Sequence, residues 1–187
     1  FSEFTFEEEL KQDLLGGGDR FYLDLFDERR RNYPREMLDL ISSDSVILNG
    51  VTIRGFRWFE QQFKKDLQQL SASIKPSFYH GDFCFPNILF DPASRLIKLI
   101  DAKGAMFESI PCSGDIRYDY AKLCHSIIGK YDYFHWQMYD LEELDNLEFN
   151  LTFYGEQDEY ESVVKIFEEI KFLNLDIDLR NEVEILI

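Results

Sequence analysis

The feature that most constrains the fold is a set of polar residues within an otherwise apolar stretch between positions 79 and 101. Asp82 and Asn87 lie five residues apart, and Asp101 follows after a further fourteen. The mostly apolar segments 87–90 and 96–100 flank turn-forming residues at 91–94, which is typical of a β-hairpin. Such a hairpin returns Asp101 to the side of Asn87. The stretch therefore predicts that these three polar side chains lie at one rim of the molecule.

Carboxylate and amide groups at this spacing suit a particular kind of chemistry. In the kinase template, an Asp orients the hydroxyl that is phosphorylated, and an Asn five residues later binds magnesium. A second Asp at a strand end links the metal to the nucleotide phosphates. Magnesium needs few protein oxygens in such sites, because phosphates and waters supply the others. The three residues therefore favour phosphoryl transfer.

Two motifs carry a resemblance to a known family. His80-Gly81-Asp82-x-x-x-x-Asn87, followed by Ile100-Asp101, resembles the aminoglycoside phosphotransferase and choline kinase family, whose members are relatives of protein kinases. The segment from Gly114 to Ala121 is similar to the G-D-x-x-x-D-x-A segment of the same family. The resemblance covers about residues 56 to 130. It implies a protein-kinase-like fold and an ATP- and magnesium-dependent small-molecule kinase.

The family resemblance assigns roles to five residues. It implies that Asp82 is the catalytic residue, that Asn87 and Asp101 are the metal ligands, and that His80 and Asp119 support the site structurally. The implied cofactors are Mg²⁺ and ATP as phosphoryl donor. The implied acceptor is the hydroxyl of a small molecule such as a sugar, an aminoglycoside or an amino alcohol.

The residues after Asp101 point to a narrower branch. Ala102-Lys103-Gly104 follows it, in place of the aromatic residue common in drug-modifying members. With the segment from Gly114 to Leu123, this pattern looks more like kinase-fold proteins encoded with bacterial surface-polysaccharide (capsular) genes. Lys103 is interpreted as an exposed loop residue, with contact to phosphate or substrate as the alternative.

Hydrophobic periodicity predicts the other elements. Helices are expected over 6–15, 21–31, 58–74 and 116–128, and a short helix after Pro34. Gly16-Gly17-Gly18 is interpreted as the end of the first helix, and Asn49-Gly50 as the turn of a hairpin over 45–54. The chain from Tyr131 onward is expected to be helical in two or three pieces. The predicted class is α+β and mostly helical, the C-terminal lobe of a protein-kinase-like fold with small β-hairpins around the catalytic loop.

The expected domain organisation has one part missing. Residues 1–55 are predicted to form a helical segment with a β-hairpin, and residues 56–187 the kinase-like C-terminal lobe. No Gly-rich strand-turn-strand and no strand lysine of an ATP-binding N-terminal lobe occur within 1–55. We expect that lobe upstream of this chain, since Phe1 and Ile187 look like cuts through a longer protein. The 187 residues alone are therefore expected to be inactive and to bind little ATP.

Composition limits the partners and the location. The net charge of −16 argues against nucleic acid and anionic membranes, which attract clustered Lys and Arg. The basic run Arg29-Arg30-Arg31 lies among acidic residues and is interpreted as a solvated helix face. Three scattered cysteines, without a signal peptide or a spanning segment, favour the cytoplasm and no membrane insertion.

Two other readings of the same residues stay open. The first is a non-catalytic kinase-like binding or regulatory module, for example one in surface-polysaccharide biosynthesis. The missing upper lobe favours this module. The second is a metal hydrolase that would use His80, Asp82 and Cys84 with His125 or His135. Against the second, Cys84 lies between two phenylalanines, where a thiol behaves as a small apolar residue.

Overall fold

The computed structural model describes residues 22–28, 30–71, 76–104, 112–155 and 157–174. The predicted helix over 6–15 and the glycine turn at 16–18 lie outside these residues. The described chain is a mixed α and β structure that is about half helical. The α+β class is therefore confirmed, and the described residues contain less helix than the predicted mostly helical class implies.

Six helices and eight short strands are described. The helices are α1 (22–28 and 30–31), α2 (Leu38–Ser42, after a 3₁₀ turn at Arg35–Met37), α3 (Phe56–Ser71), α4 (Ile116–Ile127), α5 (Tyr131–His135) and α6 (Gln157–Asn174). The strands are β1 (Ser45–Leu48), β2 (Val51–Arg54), β3 (Pro76–Phe78), β4 (Ile88–Asp91), β5 (Leu96–Leu99), β6 (Ser113–Asp115), β7 (Tyr139–Asp145) and β8 (Glu148–Phe153). No described helix is long and apolar enough to cross a bilayer.

The two predicted hairpins are confirmed. β1 pairs antiparallel with β2, and the connecting residues Asn49 and Gly50 both have positive φ, at 51° and 75°. Positive φ at both central positions is the condition for a type I′ turn, which Asn-Gly meets at low cost. β4 pairs antiparallel with β5 around the turn at 92–95, so that Ile88 faces Leu99.

A third hairpin, β7–β8, occupies residues 139–153, where helix was expected. It joins β1 and β2 in one sheet of order β2-β1-β8-β7, in which β1 and β8 run parallel. The Glu- and Leu-rich β7 favours helix locally, but the alternating Phe149, Leu151 and Phe153 of β8 suit a strand with one half-buried face. β8 pairs with β1, about 100 residues away, and this pairing favours strand over helix. Local propensity does not reveal such a distant partner.

Helix α3 buries a narrower face than its periodicity predicts. Leu67 is almost fully buried and packs with Tyr22 and Tyr79, and Phe63 lies against this cluster. The i, i+4 spacing of Phe59, Phe63 and Leu67 predicts one apolar face. Phe59 is nevertheless 55% exposed, with its ring edge-on to the neighbouring Trp58. Leu67 thus links α3 to Tyr79, the first residue of the polar loop.

Helix α4 carries charged residues on its buried side. Periodicity predicts an apolar face that consists of Ala121, Leu123, Ile127 and Ile128. Ala121 and Ile127 are buried, whereas Ile128 lies just beyond the helix and is 39% exposed. Cys124, Arg117 and Asp119 are also buried, which apolar periodicity did not indicate. Buried charges need partners, because desolvation of an unpaired charge is costly. The partners of Arg117 and Asp119 are therefore central to the site described next.

Candidate functional site

The polar loop over 79–87 begins beside the start of helix α4. Strand β3 pairs antiparallel with β6, which places Ser77 opposite Gly114. Tyr79, the first residue after β3, donates its backbone N–H to the carbonyl oxygen of Cys112 at 3.0 Å. Because β6 leads directly into α4, this pairing fixes the loop against the first turns of that helix.

Asp119 of α4 holds the first part of the loop. Its carboxylate accepts the backbone N–H of His80 at 2.7 Å and that of Gly81 at 2.8 Å. Burial raises the pKa of the Asp119 carboxyl, and the two N–H bonds oppose this change. The structure thus places Asp119 against the backbone of the loop, 38 residues away along the chain.

His80 supports the loop from within. Its Nδ1 atom accepts the backbone N–H of Asp82 at 3.3 Å, so the ring bridges one turn of the loop. Its Nε2 atom is buried and has no hydrogen-bond partner among the described residues. The ring lies 5.9 Å from that of Phe83, centroid to centroid. These contacts place His80 in the loop's internal packing.

Asn87 is directed at the carboxylate of Asp82. The Asn87 Nδ2 group donates to the main-chain oxygen of Asp82 at 2.8 Å and to its Oδ2 at 3.2 Å. The side chain is buried, with 9% of the residue exposed. An amide presents one oxygen besides its NH₂ group. With the NH₂ group used to close the loop, the Oδ1 atom of Asn87 is its remaining ligand atom.

The β4–β5 hairpin brings Asp101 to the same end of the loop. Ile100 donates its N–H to the carbonyl of Asn87 at 3.0 Å, which continues the ladder between the strands. Asp101 follows immediately, is exposed, and has a φ of 58°. A non-glycine residue in the left-handed region costs backbone energy and is found disproportionately at functional sites. Six other described non-glycine residues share this conformation, so it does not by itself mark Asp101 as functional.

Lys103 takes part in the same arrangement. Its backbone N–H donates to the carbonyl oxygen of His80 at 2.8 Å, so the segment after Asp101 is tied to the loop. The residue is exposed, and its side-chain charge helps to lower the pKa of Asp82.

Lys122 is a residue of the site that motif reasoning missed. Its Nζ atom lies 2.9 Å from Asp82 Oδ1, and both side chains are 21% exposed. Partial burial raises the pKa of Asp82, but the hydrogen bond and charge of Lys122 outweigh it and leave that pKa below its usual value. Lys122 lies within the segment from Gly114 to Leu123 that carried the narrower resemblance. The motif therefore contained Lys122, but it assigned no function to this residue.

Arg117 was also missed, and it fixes the base of the site. Its guanidinium binds Asp115, with Arg117 Nε 2.9 Å from Oδ1, and both side chains are fully buried. Asp115 caps α4 by accepting the backbone N–H of Arg117 at 3.1 Å. Tyr22 of α1 donates its hydroxyl to Asp115 Oδ2 at 3.0 Å. The pair therefore joins α1, β6 and the start of α4.

The described residues contain no group of three or more His, Cys, Asp or Glu side chains placed to hold a metal ion. The cluster of His80, Asp82 and Cys84 with His125 or His135, on which a metal hydrolase would depend, is thus not formed. Burial raises the pKa of the Cys84 thiol, which disfavours the thiolate that a metal requires. Its sulfur lies 3.5 Å from Asn87 Nδ2, within the loop's packing.

Comparison of the chain with protein-family models, curated proteins and solved structures finds no match. The site is therefore interpreted from its own geometry. Asp119 holds the backbone of the loop. The carboxylate of Asp82 lies between Lys122 and Asn87, and Asp101 lies at the adjoining hairpin.

Proposed function

We propose that this chain belongs to an ATP- and magnesium-dependent phosphotransferase that acts on a hydroxyl of a small molecule. A sugar, an aminoglycoside or an amino alcohol is the acceptor class. One observation carries the proposal. The loop that presents Asp82 ends at Asn87, and Asn87 binds the backbone of Ile100, the residue directly before Asp101. The proposed place of action is the cytoplasm, where ATP is available.

The proposed role of Asp82 is to orient the acceptor hydroxyl. In the transfer, the acceptor oxygen bonds to phosphorus, the bond from phosphorus to the leaving nucleoside diphosphate breaks, and the hydroxyl proton passes toward the Asp82 carboxylate. The lowered pKa of Asp82 keeps this carboxylate ionised and able to accept the hydrogen bond. Catalysis of this kind depends on positioning and charge stabilisation more than on strong bases.

The residues present fit magnesium in the form that such sites use. Asp101 offers an exposed carboxylate, and Asn87, whose backbone carbonyl accepts the N–H of the residue before Asp101, offers the amide oxygen Oδ1. Mg²⁺ binds through one or two protein oxygens when phosphates and waters complete its shell. When bound, the ion would offset charge on the transferred phosphoryl group. Asn87 and Asp101 are the residues proposed to hold it.

We further propose that residues 56–187 form the C-terminal lobe of a protein-kinase-like fold. Support comes from the order of the elements, in which a helix leads to the catalytic loop, a hairpin to Asp101, and a further helix, α4, braces the loop. The proposed division remains 1–55 and 56–187, with the sheet β2-β1-β8-β7 joining strands from both parts.

Phosphoryl transfer by the full-length protein tests the proposal. A panel of hydroxyl acceptors is assayed with Mg-ATP, and wild type is compared with Asp82→Ala and Asp101→Ala. Both variants are expected to lose at least about 100-fold in kcat, since each removes a group acting in the transition state. Asp91→Ala, an exposed carboxylate at the end of β4, is the matched control and should stay near wild type. Equal activity in all four proteins would contradict the mechanism.

A non-catalytic kinase-like module is the second candidate, and one observation favours it. Both carboxylate oxygens of Asp82 already have a partner, Lys122 on Oδ1 and Asn87 on Oδ2. A binding module that kept the loop for structural reasons would show such internal pairing. It would bind an acceptor without transferring phosphate, so the absence of turnover with every acceptor, combined with retained acceptor binding, would favour this candidate.

A further inference from the structure

The contact between Lys122 and Asp82 is part of a wider arrangement on α4. Asp119, Lys122 and Ser126 are spaced three and four residues apart, so they lie on one face of the helix. Asp119 holds the N–H groups of His80 and Gly81, Lys122 reaches the side chain of Asp82, and Ser126 Oγ accepts the N–H of Phe85 at 3.2 Å. One helix face therefore follows the loop along its length.

Lys122 reaches the side chain that is proposed to meet the acceptor. Asp119 and Ser126 bind backbone groups and thereby fix the path of the loop. Lys122 instead binds Asp82 Oδ1, while Asn87 binds Oδ2 from the other side. A carboxylate held at both oxygens cannot rotate without breaking a bond. Each carboxylate oxygen has a second lone pair, which leaves a position for the acceptor hydroxyl.

The ammonium group is placed by more than its ion pair. Lys122 Nζ lies 5.7 Å from the ring centroid of Tyr131, at the start of α5. A ring at this distance attracts the cation and limits the rotamers of the flexible side chain. Lys122 and Asp82 are also mostly shielded from solvent, unlike an ordinary surface ion pair.

From this geometry we infer that Lys122 is a positioning residue, which holds the carboxylate of Asp82 in the orientation that receives the acceptor hydroxyl. The inference rests on the proposed function and deepens it. A small displacement of Asp82 would then slow the transfer without weakening nucleotide binding, because Lys122 acts through Asp82 and not on the nucleotide.

The test measures kcat and KM for Mg-ATP in the full-length protein. Lys122→Met removes the charge at nearly constant length, and Lys122→Arg retains it. We expect Lys122→Met to lower kcat by at least about 10-fold with KM within about two-fold, since slight misplacement of a reacting group costs up to about 100-fold. Lys122→Arg should recover part of that loss. Lys98→Met, an exposed lysine on β5, is the matched control and should match wild type.

The double variant Asp82→Asn/Lys122→Met separates positioning from a direct effect. If Lys122 acts through Asp82, its loss should change kcat little once Asp82 is already Asn. Additive losses would overturn the inference, as would a Lys122→Met variant with wild-type kcat or with a changed KM alone. If Lys122→Met does not fold, judged by circular dichroism, Lys122→Gln replaces it in the same comparison.

Failure of the proposed function gives a different result. A wild-type protein that transfers no phosphate to any acceptor overturns the proposed function and this inference together. An active wild type with an unaffected Lys122→Met variant overturns the inference alone.

Discussion

The Oδ1 atom of Asp119 accepts the backbone N–H of Gly81 at 2.8 Å, so a buried carboxylate of helix α4 holds the loop that presents Asp82. Asp119 Oδ2 binds the adjacent N–H of His80 in the same way. Two consecutive backbone donors thus share one side chain. The loop therefore depends on a residue that is not expected to contact substrate.

Replacement of Asp119 should weaken both the fold and the site. Asp119→Ala leaves two backbone donors without their acceptor, and we expect a loss of about 2–4 kcal/mol in the free energy of unfolding. Asp119→Asn keeps one acceptor oxygen and should lose about half as much. Urea unfolding of the three proteins checks this order. Equal midpoints for Asp119→Ala and wild type would show that other contacts hold the loop.

Gly81 should tolerate no side chain. Its φ is +81°, and a Cβ atom there would lie 2.7 Å from Tyr79 Cε1 and 3.0 Å from Lys103 Cβ. We expect Gly81→Ala to cost about 2–4 kcal/mol through positive φ and overpacking together. Gly50→Ala is the matched control, since Gly50 has a φ of +75° with open space around it, and it should cost only about 1–2 kcal/mol. Thermal unfolding of both variants measures the difference, and equal losses would show that the close contacts relax.

The buried pair of Arg117 and Asp115 should be far more sensitive than an exposed pair. Arg117→Met leaves the Asp115 carboxylate buried without its cation, and we expect a loss of about 3–5 kcal/mol. Arg57→Met removes an exposed partner 3.8 Å from Asp44 and should change stability by less than about 0.5 kcal/mol. Chemical unfolding of both variants tests this. A small loss for Arg117→Met would indicate that Asp115 becomes protonated or hydrated instead.

His125 should make stability fall on mild acidification. Burial lowers its pKa from the ordinary value of 6.5, the charge of Lys122 acts in the same direction, and Asp132 opposes them. The unfolded chain then binds a proton that the folded chain resists, so the free energy of unfolding declines as the pH falls through 6.5.

The pH effect is measured by urea unfolding of wild type and His125→Gln from about pH 8 to about pH 5.5. The variant should show a shallower decline over this window, because it removes the titrating group. Near pH 8 His125 is neutral in both states, so the stabilities measured there serve as the internal reference. Parallel curves for the two proteins would assign the pH dependence to other groups.

Nucleotide affinity tests the expectation that these 187 residues alone bind little ATP. The sequence of 1–55 contains no Gly-rich strand-turn-strand and no strand lysine to grip phosphates. We expect the chain alone to bind Mg-ATP more weakly than about 1 μM by calorimetry. Submicromolar affinity would contradict this expectation and reveal a nucleotide site within the 187 residues.

Local patterns predicted much of the framework around the site. The Asn49-Gly50 turn, the β4–β5 hairpin and helix α4 occur where their spacing predicts them. Each is defined by residues near one another in the chain, through turn chemistry or periodicity. Phe59 and the strands β7 and β8 were predicted wrongly, because exposure and strand pairing depend on distant partners.

The sequence by itself determined the loop and its order of polar residues, since Asp82, Asn87 and Asp101 lie on one continuous loop and hairpin. Only the tertiary structure decided how that loop is held. Lys122 and Asp119 meet it from a helix that follows some forty residues later, and Arg117 is paired within the interior. Local spacing encodes hairpins and helix faces, whereas the choice of a buried charge's partner is settled when the elements pack and desolvate it.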